Sequence, residues 1–337
     1  MIIYTGGTIG MINRPGSRSL TPFDFDQILR HIPEIEKFGF KFTPVTIHPV
    51  VDSSNIKPGT WIRIAELIEQ GYESYDGFII LHGTDTMAFS ASALSFMLQD
   101  LNKPVIFTGS QLPVSTLRTD ARENLISSIE IAAAEKDGIP LVPEVCIYFE
   151  FKLLRGNRTT KHNSEDFNAF FSPNYPPLAE SGVHLRFYPE HLLRKPGHTN
   201  LQIHKQLDMN IAILKIFPGI TETVVRALLS SQGLKAVILE SFGAGNAPTD
   251  PWFYNLIKDA IDRGIIFLNI TQCTQGRVEM GRYETSEHLL RAGVISGYDI
   301  TPEAAVTKLM FLLGQGMAAK ELKLLLNKPI NGEITIS

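Results

Sequence analysis

Cysteine is scarce in this chain of 337 residues: Cys146 and Cys273 stand far apart, with no CxxC pair and no flanking histidine pairs. That scarcity excludes a zinc knuckle and a disulfide framework, and it fits a reducing compartment. Long apolar runs are missing as well. No stretch approaches the roughly 18 apolar residues of a membrane span. The opening residues lack the basic start and apolar core of a secretory leader, so the sequence reads as cytoplasmic. Charge of one sign is not concentrated either. Lys and Arg number 31 against 35 Asp and Glu, a formal net charge of −4, and no basic stripe of the kind that tracks nucleic acid is present. Fixed-period repeats and low-complexity tracts are also absent.

What remains is ordinary globular composition, with 44% apolar and 20% charged residues. The length suits two domains of about 150 residues each. Short apolar runs alternate with helix-period segments, the pattern of a layered α/β fold with parallel strands. Residues 2–4, 77–81, 104–108 and 145–149 read as buried strands, the first three ending in polar or glycine-containing turns. Met87, Ala91, Leu94 and Leu98 fall on one helical face, and a second helix is expected over 120–134 with Asp120 as its N-cap. Periodicity fades between 187 and 209, a segment rich in proline, glycine and histidine. Beyond it, strands are expected at 211–217, 236–239 and 265–270, with helices at 223–230, 252–262 and 302–313. Thr301 followed by Pro302 is an N-cap and N1 proline signature. The expected organisation is a larger N-terminal three-layer α/β domain with a mainly parallel sheet (1–186), a linker (187–209), and a smaller C-terminal α/β domain (210–337).

Ligands of parallel α/β sheets gather beyond the carboxyl ends of the strands, so the chemistry is sought in those turns. The first is Tyr4-Thr5-Gly6-Gly7-Thr8-Ile9-Gly10, where paired glycines allow a sharp turn and leave the Thr8 hydroxyl at a strand end. Its GGxxG spacing departs from the G-x-G-x-x-G dinucleotide fingerprint, so structural, substrate-binding and nucleotide-binding roles all stay open. The second turn is His82-Gly83-Thr84-Asp85-Thr86, ahead of a helix. Free backbone N–H groups there suit an anionic substrate group, while the turn taken alone reads first as a helix cap, at Thr86 or Asp85. His82 reads as a hydrogen-bonded structural residue. The third segment is Arg155-Gly156-Asn157-Arg158-Thr159-Thr160-Lys161. Lys161 is a solvated charge unless it meets Asp85 and a threonine hydroxyl. In that company it forms a nucleophile, proton acceptor and orienting residue.

The strings TGGTIG at 5–10 and GFIILHGTDTM at 77–87, in that order, resemble the two signature motifs of the bacterial-type asparaginases. The similarity continues through Asp52-Ser53-Ser54, residues 155–161, 243–248 and 271–273, and within the family it is nearest to the cytoplasmic type I branch. The resemblance implies hydrolysis of L-asparagine to L-aspartate and ammonia, with no metal and no organic cofactor. It casts Thr8 as the nucleophile that forms an acyl-enzyme, and Thr84, Asp85 and Lys161 as a second triad that moves protons and positions the attacking group. Asp52, Ser53 and Ser54, with Thr84 and Asp85, would hold the α-amino and α-carboxylate groups of the substrate. It also implies a homodimer or homotetramer in which Asn246 reaches the neighbouring subunit's site. The competing reading of Asn246 is a turn asparagine in left-handed geometry.

Two positions depart from the family pattern. The loop after the first motif holds no tyrosine between Met11 and Phe25. Arg18, Ser19 or Leu20 takes that place, which leaves Tyr283 as a substitute hydroxyl or lowers turnover. Glu240 stands where some type I members use an arginine in a regulatory asparagine site, so activation by asparagine is expected to be absent or altered. Two competing functions follow from the same residues: the amidase subunit of a tRNA-dependent amidotransferase, disfavoured because the chain starts at the catalytic strand, and an amino-acid-binding sensor without turnover. His184, His191 and His198 straddle proline-rich sequence and are not read as a metal site, and Cys273 is read as a buried small apolar residue.

Overall fold

The computed structural model describes residues 1–13, 20–22, 30–193, 200–282 and 284–336, with the backbone alone at 12, 13, 20–22 and 284. The chain divides into two compact units, Met1–Lys205 and Gln206–Ser337.

The first unit is built on β1 (Ile2–Tyr4), β2 (Pro44–Thr46), α1 (Pro58–Gly71), β3 (Phe78–Leu81), α2 (Met87–Met97), β4 (Val105–Thr108), α3 (Ala121–Ala133), β5 (Val145–Phe149) and β6 (Lys152–Arg155). It continues with the short ladder β7 (Thr160–Lys161) and β8 (Phe170–Phe171), then β9 (Ala179–Ser181) and β10 (Leu185–Phe187). An eight-stranded sheet runs in the order β10-β9-β6-β5-β4-β3-β1-β2. From β5 to β2 neighbouring strands are parallel, and β6, β9 and β10 close the other side as an antiparallel meander. The central strands are apolar, Thr108 at the end of β4 apart, because both faces are covered: every residue of β1, β3, β4 and β5 is buried. Ile2, Tyr4, Ile79 and Leu81 pack with Leu125 and Ile129 of α3.

The apolar stripe of α2 proves to be more than a stripe. Ten of its eleven residues are buried, which its small Ala and Ser side chains permit. Asp120 precedes α3 but makes no side-chain cap; the Thr119 hydroxyl accepts from Ala121 N instead, at 3.1 Å. Part of the segment between 187 and 209 is paired: Gln202–Ile203 forms a short antiparallel ladder with Leu98–Gln99.

The second unit holds β11 (Ile211–Lys215), α4 (Glu222–Leu229), β12 (Ala236–Ser241), α5 (Pro251–Asp262), β13 (Ile266–Thr271), α6 (Glu284–Ala292), β14 (Ile295–Ser296), α7 (Pro302–Gly314) and α8 (Ala319–Leu326). Its four strands are parallel in the order β11-β12-β13-β14. The expected cap of α7 is present, with Thr301 accepting from Ala304 N. That helix buries Lys308 completely, and its ammonium donates to Leu326 O, Lys328 O and the buried Glu333 carboxylate.

Candidate active site

β1 lies between β2 and β3, so the chain leaves β1 first toward one side of the sheet and later toward the other. A reversal of strand order of this kind opens a crevice at the carboxyl ends of the strands. Three loops meet there: 5–10 after β1, 51–55 after β2 and 82–86 after β3. Glycine lets them close on one another. A Cβ on Gly7 would stand 2.4 Å from Gly83 N, and one on Gly83 would stand 2.6 Å from Ser53 Oγ. Gly6 and Gly7 also carry φ of 127° and 94°, conformations that L side chains avoid. The paired glycines of the first motif are thus required both by backbone conformation and by contact with the second motif.

Thr8 opens a 3₁₀ turn, Thr8–Gly10, and is half-buried; among the described residues its hydroxyl has no hydrogen-bond partner. Tyr4 Oη donates to Gly10 O at 3.3 Å and closes the turn from below. Burial pushes the Tyr4 phenol up to about 12, so it stays a donor.

The second turn is pinned through His82, which is fully buried. Its Nδ1 lies 2.7 Å from Gly83 O, and its Nε2 lies 2.8 Å from Ser90 Oγ, which in turn accepts from Trp61 Nε1 at 2.8 Å. A carbonyl only accepts, so Nδ1 carries the proton and Nε2 takes one from Ser90. Burial holds the imidazole near pKa 4, neutral at physiological pH. His82 is therefore a structural pin, as expected from sequence. The alternative of a simple helix cap at Asp85 or Thr86 does not hold. Thr86 sits at the N-cap position of α2 without a side-chain cap, and its hydroxyl donates to Ser53 O at 2.7 Å.

Asp85 turns instead to Lys161. The Lys161 ammonium donates to Asp85 Oδ1 at 2.7 Å and to Thr84 Oγ1 at 2.8 Å. Thr84 is buried, the Lys161 side chain is 16% exposed and that of Asp85 is 61% exposed, so the pair opens toward solvent on the carboxylate side. Lys161 is brought there by the loop 156–160. Gly156 packs against Ala91 of α2, where an added Cβ would meet Ala91 Cβ at 3.0 Å. The buried Arg155 donates to Glu144 at 2.7 Å, and Thr159 Oγ1 donates to Arg155 O at 2.7 Å. The ladder of β7 with β8 then sets Lys161 opposite Phe170.

On the third loop, Asp52 Oδ1 accepts from Ser54 N at 2.9 Å and Ser54 Oγ at 2.7 Å, which holds the carboxylate below its usual range. Ser53 is buried against Gly83, and its hydroxyl has no partner among the described residues. The structure thus gathers Thr8, Asp52, Ser53, Ser54, Thr84, Asp85 and Lys161 around one crevice of the first unit.

Asn246 belongs to the second unit. Its Oδ1 accepts from Thr285 Oγ1 at 2.7 Å, and the left-handed turn positions are taken by Gly243 and Gly245, which overturns the turn-asparagine reading. Glu240 is nearly buried and pairs with Lys215 at 3.2 Å. Cys273, read as buried, is exposed, while Cys146 is the buried thiol. Cys273 follows the last residues of β13, where the chain leaves the sheet, and its N–H caps onto Thr271 Oγ1. Tyr283, Arg18, Ser19 and His198 lie outside the described residues, and Leu20 is described by backbone alone.

Sequence reading missed Gln111 and Asp120 as parts of the site. Thr84 Oγ1 donates to Gln111 Oε1 at 3.2 Å, and Asp120 accepts from the backbone N–H groups of Gln111 and Leu112. The only sequence signal was an acidic residue ahead of a helix, which has a commoner explanation as a cap.

Residues 1–193 match the family model described as asparaginase, N-terminal, and residues 210–326 match the glutaminase/asparaginase C-terminal domain. The chain is 44% identical to L-asparaginase 1 of Escherichia coli K12, over 99% of this chain and 97% of that protein. Among solved structures it is similar to L-asparaginase I of Vibrio cholerae, with 40% identity, a TM-score of 0.90, and coverage of 99% of this chain and 98% of that one. The thermostable L-asparaginase of Thermococcus kodakarensis aligns with a TM-score of 0.90 at 32% identity, over 100% of this chain and 99% of the other.

Proposed function

The chain belongs to the asparaginase family, and from that premise we propose that it hydrolyses the side-chain amide of L-asparagine, giving L-aspartate and ammonia through an acyl-enzyme on Thr8. The observation that carries this reading is the contact of one lysine ammonium with both Thr84 and Asp85, beside the turn that presents Thr8. In the first half-reaction Thr8 Oγ bonds to the amide carbon, its proton passes to the departing nitrogen, and the C–N bond breaks to release ammonia. Water then attacks the ester, its proton returns to Thr8, and L-aspartate leaves. A threonine hydroxyl needs a positioned base to do this, and Thr84, Lys161 and Asp85 form the proton-handling group.

The residue types also suit a zwitterion. Asp85 Oδ1 is engaged by Lys161, which leaves Oδ2 for the substrate ammonium. The Ser53 hydroxyl and the first N–H groups of α2 are donors for its carboxylate. Ser54 gives its hydroxyl proton to Asp52, so its role is to shape the loop that bears Ser53.

We place this chemistry in residues 1–186 and read the enzyme as a cytoplasmic homo-oligomer in which Asn246 serves a neighbouring site, supported by family membership and by the match of the 243–246 turn. Ammonia release from L-asparagine and L-glutamine, measured for wild type, Thr8→Val, Thr84→Val and Lys161→Met, tests the site assignment. Each variant is expected to lose roughly 10²–10⁴-fold in kcat. Wild-type rates in all three would overturn it, and binding without turnover in the wild type would leave an amino-acid sensor.

A further inference from the structure

We propose that Gln111 is a positioning residue for the amide hydrolysis: it fixes the direction of the Thr84 proton and ties the segment after Lys161 to that hydroxyl. The inference rests on the hydrolase reading above and names a part that the motifs do not contain.

The carboxamide is oriented by its neighbours. Gln111 Nε2 donates to Asp166 O at 3.0 Å. A backbone carbonyl has no proton to give, so the nitrogen of the amide must face Asp166 and the oxygen is left for Thr84. Thr84 has one proton, and it goes to Gln111 Oε1 at 3.2 Å. Its oxygen is thereby turned, lone pair first, toward the Lys161 ammonium 2.8 Å away. The donor sequence is Lys161 to Thr84 to Gln111 to Asp166 O, each group making the bond that the one before it leaves open. Proton transfer from Thr84 to a neutral Lys161 requires this arrangement to reverse, so Gln111 sets the resting direction from which the reaction starts.

Both ends of the bridge are anchored. The Gln111 N–H lies 2.9 and 3.1 Å from the two Asp120 oxygens, and Asp120 also accepts from Leu112 N and Asn124 Nδ2. On the far side, Asn163 Oδ1 accepts from Glu165 N and Asp166 N, which shapes the turn that presents the Asp166 carbonyl. Asp85 is in direct contact with Lys161, His162 follows it in the chain, Asp166 lies on the far side of Gln111, and Asp120 holds the Gln111 N–H.

Gln111→Met keeps the length of the side chain and removes both polar ends. Gln111→Glu keeps an acceptor for Thr84, gives up the donor to Asp166 O, and sets a negative charge within about 6 Å of Lys161, since both groups touch one hydroxyl. Steady-state kinetics over about pH 6 to 10 are expected to show kcat of Gln111→Met reduced about tenfold or more, with KM changed by less than about threefold. Gln111→Glu is expected to recover part of kcat and to move the acid limb of the profile up by about one pH unit. Competitive acetylation of Lys161 against pH, read by mass spectrometry, gives the same comparison without turnover. The Lys161 midpoint should rise by about one unit in Gln111→Glu and by less than about half a unit in Gln111→Met. Equal kcat in all three proteins, or equal loss in both variants with no shift of the limb or of the Lys161 midpoint, would overturn the proposal. A wild type that releases no ammonia would overturn the hydrolase reading, and the acetylation profile would still decide the role of Gln111.

Discussion

Acid should loosen the 82–86 turn through His82, and the size of the effect follows from its burial. The imidazole is fully buried, gives its Nδ1 proton to Gly83 O and takes one from Ser90 at Nε2. A protonated imidazole would carry its charge without contact with water. Burial, opposed in part by the Gly83 carbonyl, depresses the pKa from 6.5 to about 4 in the fold. Below pH 6.5 the unfolded chain takes up a proton that the folded chain refuses, so the stability contributed by neutral His82 is complete above 6.5 and is lost as pH falls toward 4. Between pH 7.5 and 5 the loss is about 2 kcal/mol, and it reaches about 3 kcal/mol below pH 4. Urea unfolding followed by Trp61 fluorescence in a Trp252→Phe background reports this unit at each pH. His82→Gln lacks the titration, and the difference between the two proteins cancels carboxylates such as Asp120. That difference should shrink by about 2 kcal/mol from pH 7.5 to 5. A constant difference, within about 0.5 kcal/mol, would refute the neutral-pin argument.

Gly7→Ala places a Cβ 2.4 Å from Gly83 N at a φ of 94°, and kcat should fall roughly 100-fold or more, as measured by ammonia release. Glu144→Ala leaves the buried Arg155 guanidinium without its carboxylate and should cost about 3–5 kcal/mol in urea unfolding. Maleimide should label Cys273 in the native protein, because it is exposed, and reach Cys146 only after unfolding, since burial also pushes that thiol well above its usual range.

Much of the fold was legible because period and burial agree. The runs at 78–81, 105–107 and 145–149 are apolar at every position, as expected of parallel strands covered on both faces. Helix α2 was legible in its face and not in its depth: its serines are buried as well, with Ser95 bonded to Ala91 O and Ser92 to Gly156 O. Lys308 misleads in the same way, since no local pattern marks a lysine whose three protons are taken by two carbonyls and a carboxylate far along the chain.

The sequence by itself determined the three motifs, the glycines at their turns and the strand ends that carry them, because each depends on residues adjacent in the chain. It also named Thr8, Thr84, Asp85 and Lys161. Only the tertiary structure decided whether Asp85 caps a helix or meets Lys161, where the Thr84 proton points, and which aspartate holds Gln111 in place. Those are matters of contacts between side chains 76 or 77 positions apart and of which hydrogen-bond partners remain after burial, and no local pattern encodes them.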